Sequence, residues 1–285
     1  MGEAKATAVD PAIAGMPRGG PNASWLDRRL QTGALEYTDR YDVPDEVKQT
    51  VIRALDRVGT RTGQHEKNAR TALGVVADIP NPRILELGAG HGKLSAKIVE
   101  LHPTATVTVS DLDPTSVATI ATGDLGAHTR VRTQIVDAGA IDADDGSYDL
   151  VVFAAAFHHL PPATAVRTIA EATRVGRQFL VIDIERSSPL QLILTHLMIA
   201  PLAAIAMTVR PSFRHVIHDG FISSLRVYSQ SAFVALGKAV DPHMRVEFLP
   251  RAIRFGPGMA SLVFSRPGAT PMCSNTPQHK DSQQS

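Results

Sequence analysis

The sequence predicts an α/β fold: a doubly wound, seven-stranded sheet, mostly parallel with one antiparallel strand, and helices on both faces. Three observations lead to this prediction. From Arg83 onward, short apolar segments alternate with amphipathic helical segments, as in successive β–α–β units. The last two apolar segments have no helix between them, and a short link cannot make a parallel crossover. A glycine-rich turn follows the first strand, where such Rossmann-like sheets bind ligands.

Composition narrows the function classes. The chain has 285 residues, of which 44% are hydrophobic and 20% charged, as in an ordinary globular protein. Its 29 basic and 28 acidic residues nearly balance, so we expect no nucleic-acid partner. A single cysteine, Cys273, excludes an intrachain disulfide and a cysteine-based metal site. The N-terminal region lacks the apolar centre of a signal peptide, and we therefore expect a cytoplasmic location.

The chain divides into four regions by composition. Residues 1–24 are rich in Ala, Gly and Pro, and we expect a disordered leader. Residues 25–82 are expected to form N-terminal helices, and residues 83–265 the main domain with a cap insert at about 188–228. The polar tail, 266–285, is expected to be disordered.

Strands and helices follow from the spacing of apolar residues. The predicted strands are Ile84–Leu87, Thr106–Ser110, Val131–Val136, Tyr148–Phe153, Phe179–Asp183, Val246–Leu249 and Ser261–Ser265. The predicted helices of the main domain are Lys93–Leu101, Pro114–Thr122, Ala163–Thr173 and Ser231–Val240. Two helical faces precede them, around residues 47–58 and 69–76.

The glycine-rich turn is the first candidate site. Gly88, Gly90 and Gly92 follow an apolar strand that contains one carboxylate, Glu86. The bare glycines indicate a ligand that approaches the main chain closely; a tight turn that needs the glycines is the alternative. A dinucleotide site prefers Gly-x-Gly-x-x-Gly, but the third of those positions is Lys93. An NAD-dependent oxidoreductase on a similar sheet is therefore the alternative rather than the first prediction.

Two further acids mark the same edge of the sheet. Asp111 ends the second predicted strand and Asp137 ends the third, so that with Glu86 each of the first three strands ends at a carboxylate. Three acids suit a ligand with a cationic end and a diol, whereas they would repel a nucleotide phosphate. The alternative is that Asp111 and Asp137 only cap the helices that follow.

With these residues in place, the chain resembles the class I S-adenosylmethionine-dependent methyltransferases over roughly residues 64–266. The resemblance implies S-adenosyl-L-methionine as the cofactor. The cofactor-binding residues that it implies are Glu86, Gly88, Ala89, Gly90, Gly92, Asp111, Leu112, Asp137, Ala138 and Ala154.

The resemblance also implies a part for each side chain. Glu86 would lie near the cofactor's ammonium group. Asp111 would accept from both ribose hydroxyls, with Leu112 packed on the adenine. Asp137 would accept from the adenine amino group, with the Ala138 amide nearby.

Two adjacent histidines follow the fourth strand. Methyl transfer from a sulfonium needs positioning above all, and a phenol or enol acceptor must also lose a proton, which neutral histidine can accept. We expect His159, and second His158, to be that base; a purely structural part in a helix start is the alternative. We expect no metal, because adjacent residues rarely converge on one ion and the nearby His215 and His218 offer no complete ligand set.

A long apolar insert completes the prediction. Residues 190–209 are nearly all apolar and long enough to span a membrane, but a crossing would separate the fifth strand from the last two. We predict a pair of cap helices, broken near Pro201, over the mouth of the acceptor site; a homodimer face is the alternative. Such a cap favours a small lipophilic acceptor, quinone- or polyketide-like and methylated at oxygen or carbon, and peripheral membrane contact. A catalytically inactive, membrane-associated protein that binds S-adenosylmethionine is the non-enzymatic alternative.

Overall fold

A computed structural model describes residues 9–209, 213–250 and 259–268 of the chain. Its strands are β1 (Arg83–Leu87), β2 (Thr106–Asp111), β3 (Val131–Ile135), β4 (Tyr148–Ala154), β5 (Gly176–Ile184), β6 (Arg245–Phe248) and β7 (Met259–Ser265). They form one sheet in the order β3-β2-β1-β4-β5-β7-β6. Strand β7 runs antiparallel to both of its neighbours, and the other pairs are parallel. The predicted fold class is confirmed.

The four predicted helices of the main domain and the two helical faces before them lie where the apolar periodicity predicts them, whereas the helix Pro11–Ala14 was not predicted. They are α1 (Pro11–Ala14), α2 (Trp25–Arg29), α3 (Asp45–Arg61), α4 (Gln64–Val75), α5 (Lys93–Leu101), α6 (Pro114–Thr122), α7 (Pro162–Val175), α8 (Pro189–Val209), α9 (Phe213–Arg226) and α10 (Gln230–Val240). Helices α5 and α6 have the predicted bounds. Asp113 caps α6 by accepting from the amides of Thr115 and Ser116, which satisfies donors that have no partner within the helix.

The sheet separates two apolar cores. On one face, α4, α5 and α6 pack through residues such as Ala72 and Ile98. On the other face, α7 and α10 pack through residues such as Ile169 and Leu236. Because both faces of the central strands are covered, β4 and β5 are nearly continuous apolar runs. This arrangement leaves the carboxyl ends of the strands as the open edge where loops build a site.

The leader differs from our expectation of disorder in the part that the structure describes. Residues 9–24 lie against the domain, with Met16 buried in the core beside α7 and α10. The buried Arg18 donates to the carbonyl oxygens of His158 and Arg226 at 2.9 and 2.8 Å. Residues 1–8 and the tail from residue 269 lie outside the described residues.

The insert also differs from the prediction. Helix α8 is one continuous 21-residue helix that runs through Pro201, so the predicted break near Pro201 is wrong. Its window Pro189–Thr208 is long and apolar enough to cross a membrane by length and composition, and 6% of that window is buried in the protein. A crossing is incompatible with the fold, because β5 precedes α8, β7 follows it, and Ile182 pairs with Ser261 in one sheet.

Candidate active site

A cleft of about 1870 Å³ opens at the carboxyl edge of the sheet. The glycine turn after β1 and the ends of β2 and β4 form its floor, and α3 and α9 form its walls. Val51, Ile52 and Leu55 of α3 line it, as does Phe153 of β4. Helix α9 lines the cleft, whereas no described residue of α8 does. The long apolar helix therefore lies outside the cleft rather than over its mouth.

The glycine turn has a backbone that requires glycine. Gly88, Gly90 and Gly92 have φ angles of 60°, 57° and 69°, in the left-handed region that side chains disfavour. At Gly88 a Cβ would lie 2.6 Å from Cε2 of Phe153. Backbone conformation and protein packing thus already exclude a side chain at Gly88, as the tight-turn alternative requires. At Gly90, Ile52 Cγ2 at 3.4 Å is the single described neighbour, so this part of the turn faces open cleft.

Asp111 closes the turn at the end of β2. Its Oδ2 accepts from the Gly90 amide at 2.8 Å and its Oδ1 from the Asp113 amide at 2.9 Å. Burial raises its pKa above the usual range, since a carboxylate loses hydration there. Because Asp113 and not Asp111 caps α6, the alternative that Asp111 is only a helix cap is not supported. Its oxygens line the cleft, where each can accept a further hydrogen bond.

Glu86 is more deeply buried than we expected for a carboxylate at the ligand-binding end of a strand. It is 3% exposed, and its Oε2 accepts from the Ser95 amide at 3.0 Å and from the Ser95 hydroxyl. Burial raises the pKa of Glu86 to about 7, although the hydrogen bonds from Ser95 oppose the shift. Glu86 therefore fastens the start of α5 to the end of β1. A contact with a cofactor ammonium group stays a prediction.

The remaining predicted cofactor residues share the rim of the cleft. Leu112 is 56% exposed beside Asp111, as an adenine-packing residue would be. Asp137 is exposed, and its Oδ1 accepts from the Gly139 amide at 2.8 Å. No helix starts at this point, so Asp137 does not cap one. Ala89, Ala138 and Ala154 also line the cleft, whereas Gly92 does not; the structure thus brings the predicted residues other than Gly92 together at one edge.

Helix α3 is held over the glycine turn by contacts that we did not predict. His91, within the turn, places its Nδ1 2.6 Å from Asp56 Oδ2 and its Nε2 2.7 Å from Gln49 Oε1. The Gln49 amide donates to Asp113 Oδ2 at 3.3 Å. These partners are more than 30 residues apart in sequence, so no local pattern reveals them. The sequence signal that could have revealed these contacts is the presence of polar residues in α3 beside the apolar residues that face the cleft.

His158 is enclosed rather than open to an acceptor. It is 3% exposed, its Nδ1 lies 2.7 Å from Asp183 Oδ1, and its amide donates to Asp183 Oδ2 at 2.8 Å. Burial opposes the protonated ring, but Asp183 and Glu36 outweigh burial and raise the pKa of His158 to about 10. An imidazole that is protonated at neutral pH does not accept a proton, so the structure does not support His158 as the second candidate base.

His159 faces the cleft and contacts the N-terminal region. Its side chain is 21% exposed, its Nδ1 lies 2.7 Å from Asp39 Oδ1 and its Nε2 lies 3.7 Å from Glu36 Oε2. Glu36 is 3% exposed. Burial would raise the pKa of Glu36, but the neighbouring histidines and Ser223 lower it overall. Glu36 and Asp39 are the site residues that we missed, because they lie about 120 residues before the histidines.

Arg226, Asp219 and Tyr228 each have a partner within the chain. Arg226 pairs with Asp39 at 2.5 Å, not with Asp219. Asp219 instead accepts from the Tyr37 amide at 2.8 Å and lies 2.9 Å from His218 Nδ1. The hydroxyl of the buried Tyr228 donates to the Leu160 carbonyl at 2.7 Å.

Comparison with known proteins identifies the domain. Residues 84–178 match the protein family described as "Methyltransferase domain". Residues 84–178 form a methyltransferase domain. The family uses S-adenosyl-L-methionine, so the predicted resemblance to class I S-adenosylmethionine-dependent methyltransferases and the predicted cofactor are confirmed.

Two curated relatives match parts of the chain. A malonyl-[acyl-carrier protein] O-methyltransferase of Geobacter sulfurreducens is 37% identical over 33% of this chain and 34% of its own length. A ribosomal RNA small subunit methyltransferase C of Pseudomonas entomophila is 28% identical over 47% of this chain and 40% of its own. The chain thus spans less than half the length of each of these relatives.

Solved structures share the fold over more of the chain. A candidate O-methyltransferase of Nostoc punctiforme matches with a TM-score of 0.57 and 15% identity, over 83% of this chain and 64% of that one. The mitomycin 7-O-methyltransferase MmcR matches with a TM-score of 0.50 and 20% identity, over 75% and 56%. At these identities the likeness concerns the fold.

The residues present fit the donor of this family. S-Adenosylmethionine combines cationic groups with a ribose diol, and the methyltransferase domain offers open main chain at Gly90 with the Asp111 carboxylate beside it. Leu112 provides an apolar surface at the same rim. These residues would hold the cofactor.

Proposed function

We propose that the chain transfers a methyl group from S-adenosyl-L-methionine to a small lipophilic acceptor, at a phenol or enol oxygen or at carbon. One observation carries the proposal: the turn at Gly90 and the Asp111 carboxylate meet at the open edge of a methyltransferase domain, inside a cleft of about 1870 Å³. Such a volume exceeds the roughly 300–1,000 Å³ of an ordinary ligand pocket. Donor and acceptor can therefore share it.

The walls of the cleft support a lipophilic acceptor. Helix α3 contributes Val51, Ile52 and Leu55, and Phe153 and Leu160 face the same space. Burying apolar acceptor surface against them is favourable by about 25 cal/mol per Å². One of the curated relatives is named as a ribosomal RNA methyltransferase. A net charge of +1, however, does not favour a polyanionic acceptor such as RNA.

The chain's own contribution to the reaction is positioning. When bound, the cofactor supplies a methyl group attached to a sulfonium. Helix α3, fastened through His91, holds the cleft wall against the glycine turn, and an ordered wall lowers the entropic cost of aligning two reactants. His159 is the predicted histidine whose side chain reaches the cleft; its part as a base stays a prediction.

We also infer that α8 lies in the surface of a lipid bilayer. The helix contains no Asp, Glu, Lys or Arg, and its exposed large apolar side chains are Leu190, Leu194, Leu197, Met198, Ile199, Leu202, Ile205 and Met207. These residues are spread around most of the helix circumference. Arg214, exposed just beyond α8, suits anionic headgroups. A bilayer surface is where an enzyme would collect a lipophilic acceptor, and it leaves the predicted cytoplasmic location unchanged.

Incubation with methyl-labelled S-adenosylmethionine and a lipophilic extract tests the proposed function. The label is expected in one or a few apolar products, which mass spectrometry identifies. Label that appears only in RNA would contradict the acceptor class. Absence of product, with cofactor binding intact, would favour the inactive binding protein instead.

A further inference from the structure

We propose that Glu36, His158 and His159 form a binding site for a divalent transition-metal ion. The ligand atoms of these three residues lie within 4.8 Å of one another. Glu36 comes from the segment before α3, and the two histidines come from the 3₁₀ turn Phe157–His159 after β4. The fold thus supplies the third ligand that the histidine pair lacks in sequence.

The distances around Glu36 suit an ion better than a hydrogen bond. His158 Nε2 lies 3.6 Å from Glu36 Oε1, and His159 Nε2 lies 3.7 Å from Glu36 Oε2. Both separations exceed hydrogen-bond range. Two ligand atoms that each lie about 2.1 Å from a tetrahedral ion are themselves about 3.4 Å apart. Small movements would therefore close both pairs on one ion.

Two of these ligand atoms lack partners although they are buried. His158 Nε2 and Glu36 Oε1 have no hydrogen bond among the described residues, and both residues are 3% exposed. A buried polar atom without a hydrogen-bond partner destabilises the folded state. Coordination of a cation removes that destabilisation for the imidazole nitrogen and the carboxylate oxygen together.

A carboxylate lies close to Nδ1 of each imidazole. Asp183 lies 2.7 Å from His158 Nδ1, and Asp39 lies 2.7 Å from His159 Nδ1. A carboxylate that accepts from the Nδ1 proton directs Nε2 to the metal ion, the usual support for a metal-bound histidine; binding at His158 releases the proton that its Nε2 carries in the free protein. The hydrogen bond to Asp183 thus orients the His158 imidazole, whereas Asp39 lies close to His159 Nδ1 without a hydrogen bond to it.

The nearby arginine does not complete the site in place of a metal. Arg226 directs its terminal nitrogens to Asp39 Oδ2 and to the His159 carbonyl, each at 2.5 Å. Its contact with Glu36 Oε1 is 3.6 Å, beyond hydrogen-bond range. Three carboxylates therefore lie around the two imidazoles, those of Glu36, Asp39 and Asp183. A single guanidinium, that of Arg226, contacts these side chains among the described residues.

The donor set identifies the ion's class. Two imidazoles and one carboxylate bind Zn²⁺ or another divalent first-row metal, leaving further coordination positions open. All three residues line the cleft. In a role that rests on the proposed function, the ion would bind the acceptor's oxygen and lower its pKa, and His159 would then be a ligand instead of a base.

Metal titration of the full chain, freed of metal by a chelator, tests the site without cofactor or acceptor. Zn²⁺ is added in a calorimeter, and Co²⁺ is followed by its visible absorption. We expect one ion per chain, with affinity lowered at least 100-fold by Glu36→Gln and 10–100-fold by Asp183→Asn. His243→Gln, which replaces an exposed histidine, should bind as the parent does.

Two results of this titration would contradict the proposed metal site. No binding by the parent, or equal binding by Glu36→Gln and His243→Gln, would overturn the site. If Glu36→Gln does not fold, X-ray absorption by the cobalt-loaded parent decides, since two imidazole ligands are expected and their absence contradicts the proposal. None of these results bears on methyl transfer, because neither donor nor acceptor is present.

Discussion

Asp111 and Glu86 are carboxylates at the ends of neighbouring strands, yet the protein holds them differently. Asp111 accepts from two main-chain amides and still faces the cleft. Glu86 is buried and accepts from Ser95 at the start of α5. A sequence pattern places both acids at one sheet edge but does not show which one reaches a ligand. How deeply each carboxylate is buried depends on the helices that pack around its strand.

Asp111 is expected to matter for cofactor affinity. A hydrogen bond to a charged group contributes about 1.5–3 kcal/mol, so Asp111→Ala should weaken S-adenosylmethionine binding roughly 10–100-fold by calorimetry. Asp149→Ala is the matched control, since Asp149 pairs with Arg83 at the opposite edge of the same sheet. Equal affinities for the two variants would show that Asp111 does not hold the ribose.

Glu86 should make the free protein less stable as pH rises. Its pKa is about 7 when folded, above the ordinary value of about 4.3. The folded state therefore retains a proton that the unfolded chain releases. The loss should be on the order of 3 kcal/mol between pH of about 4.5 and 8.

Chemical denaturation across this pH range, without cofactor, measures the effect. Glu86→Gln should remove most of the slope below pH about 6.5, where His158 is protonated in both states and glutamine does not titrate, whereas Glu100→Gln, which replaces an exposed acid, should keep it. Parallel profiles for the parent and Glu86→Gln would contradict the raised pKa of Glu86.

At the scale of elements, the main strands and helices follow from local apolar spacing, and α8 shows the limit of that reasoning. Its composition predicts an apolar helix, but composition does not say what covers it. The predicted position over the acceptor site is wrong, because α9 lines the cleft and α8 lies outside it. Likewise, the cleft wall built by α3 depends on His91, Asp56 and Gln49, which meet only after folding.

Helix α8 is expected to bind vesicles that contain anionic lipid. Burial of a leucine contributes about 1.5–3 kcal/mol, so Leu197→Asp combined with Leu202→Asp should reduce co-sedimentation at least tenfold. Ile135→Asp, which changes an exposed apolar residue of β3, is the control. A parent that stays in the supernatant, and that forms a dimer which the double variant abolishes, would assign α8 to a homodimer instead.

At the scale of the whole molecule, the seven strands and the single reversed strand were predictable from the alternation of helices and strands, whereas the order of the strands in the sheet was not predicted. The cofactor edge was predictable for the same reason, because parallel strands bring their carboxyl ends together. The contacts of Glu36 and Asp39 with the two histidines were not predictable, because about 120 residues of sequence separate the partners. Local sequence patterns do not predict which distant segments converge at the site.

Thermal unfolding with and without ligand tests the central claim, that the edge formed by the glycine turn and Asp111 binds S-adenosylmethionine. At 100 times its dissociation constant, S-adenosylmethionine or its demethylated product should stabilise the chain by about 2.7 kcal/mol. That corresponds to a rise in Tm of about 5 °C for a chain of 285 residues, and it should be smaller for Asp111→Ala at the same concentration. Stabilisation by NAD and not by S-adenosylmethionine would contradict the claim.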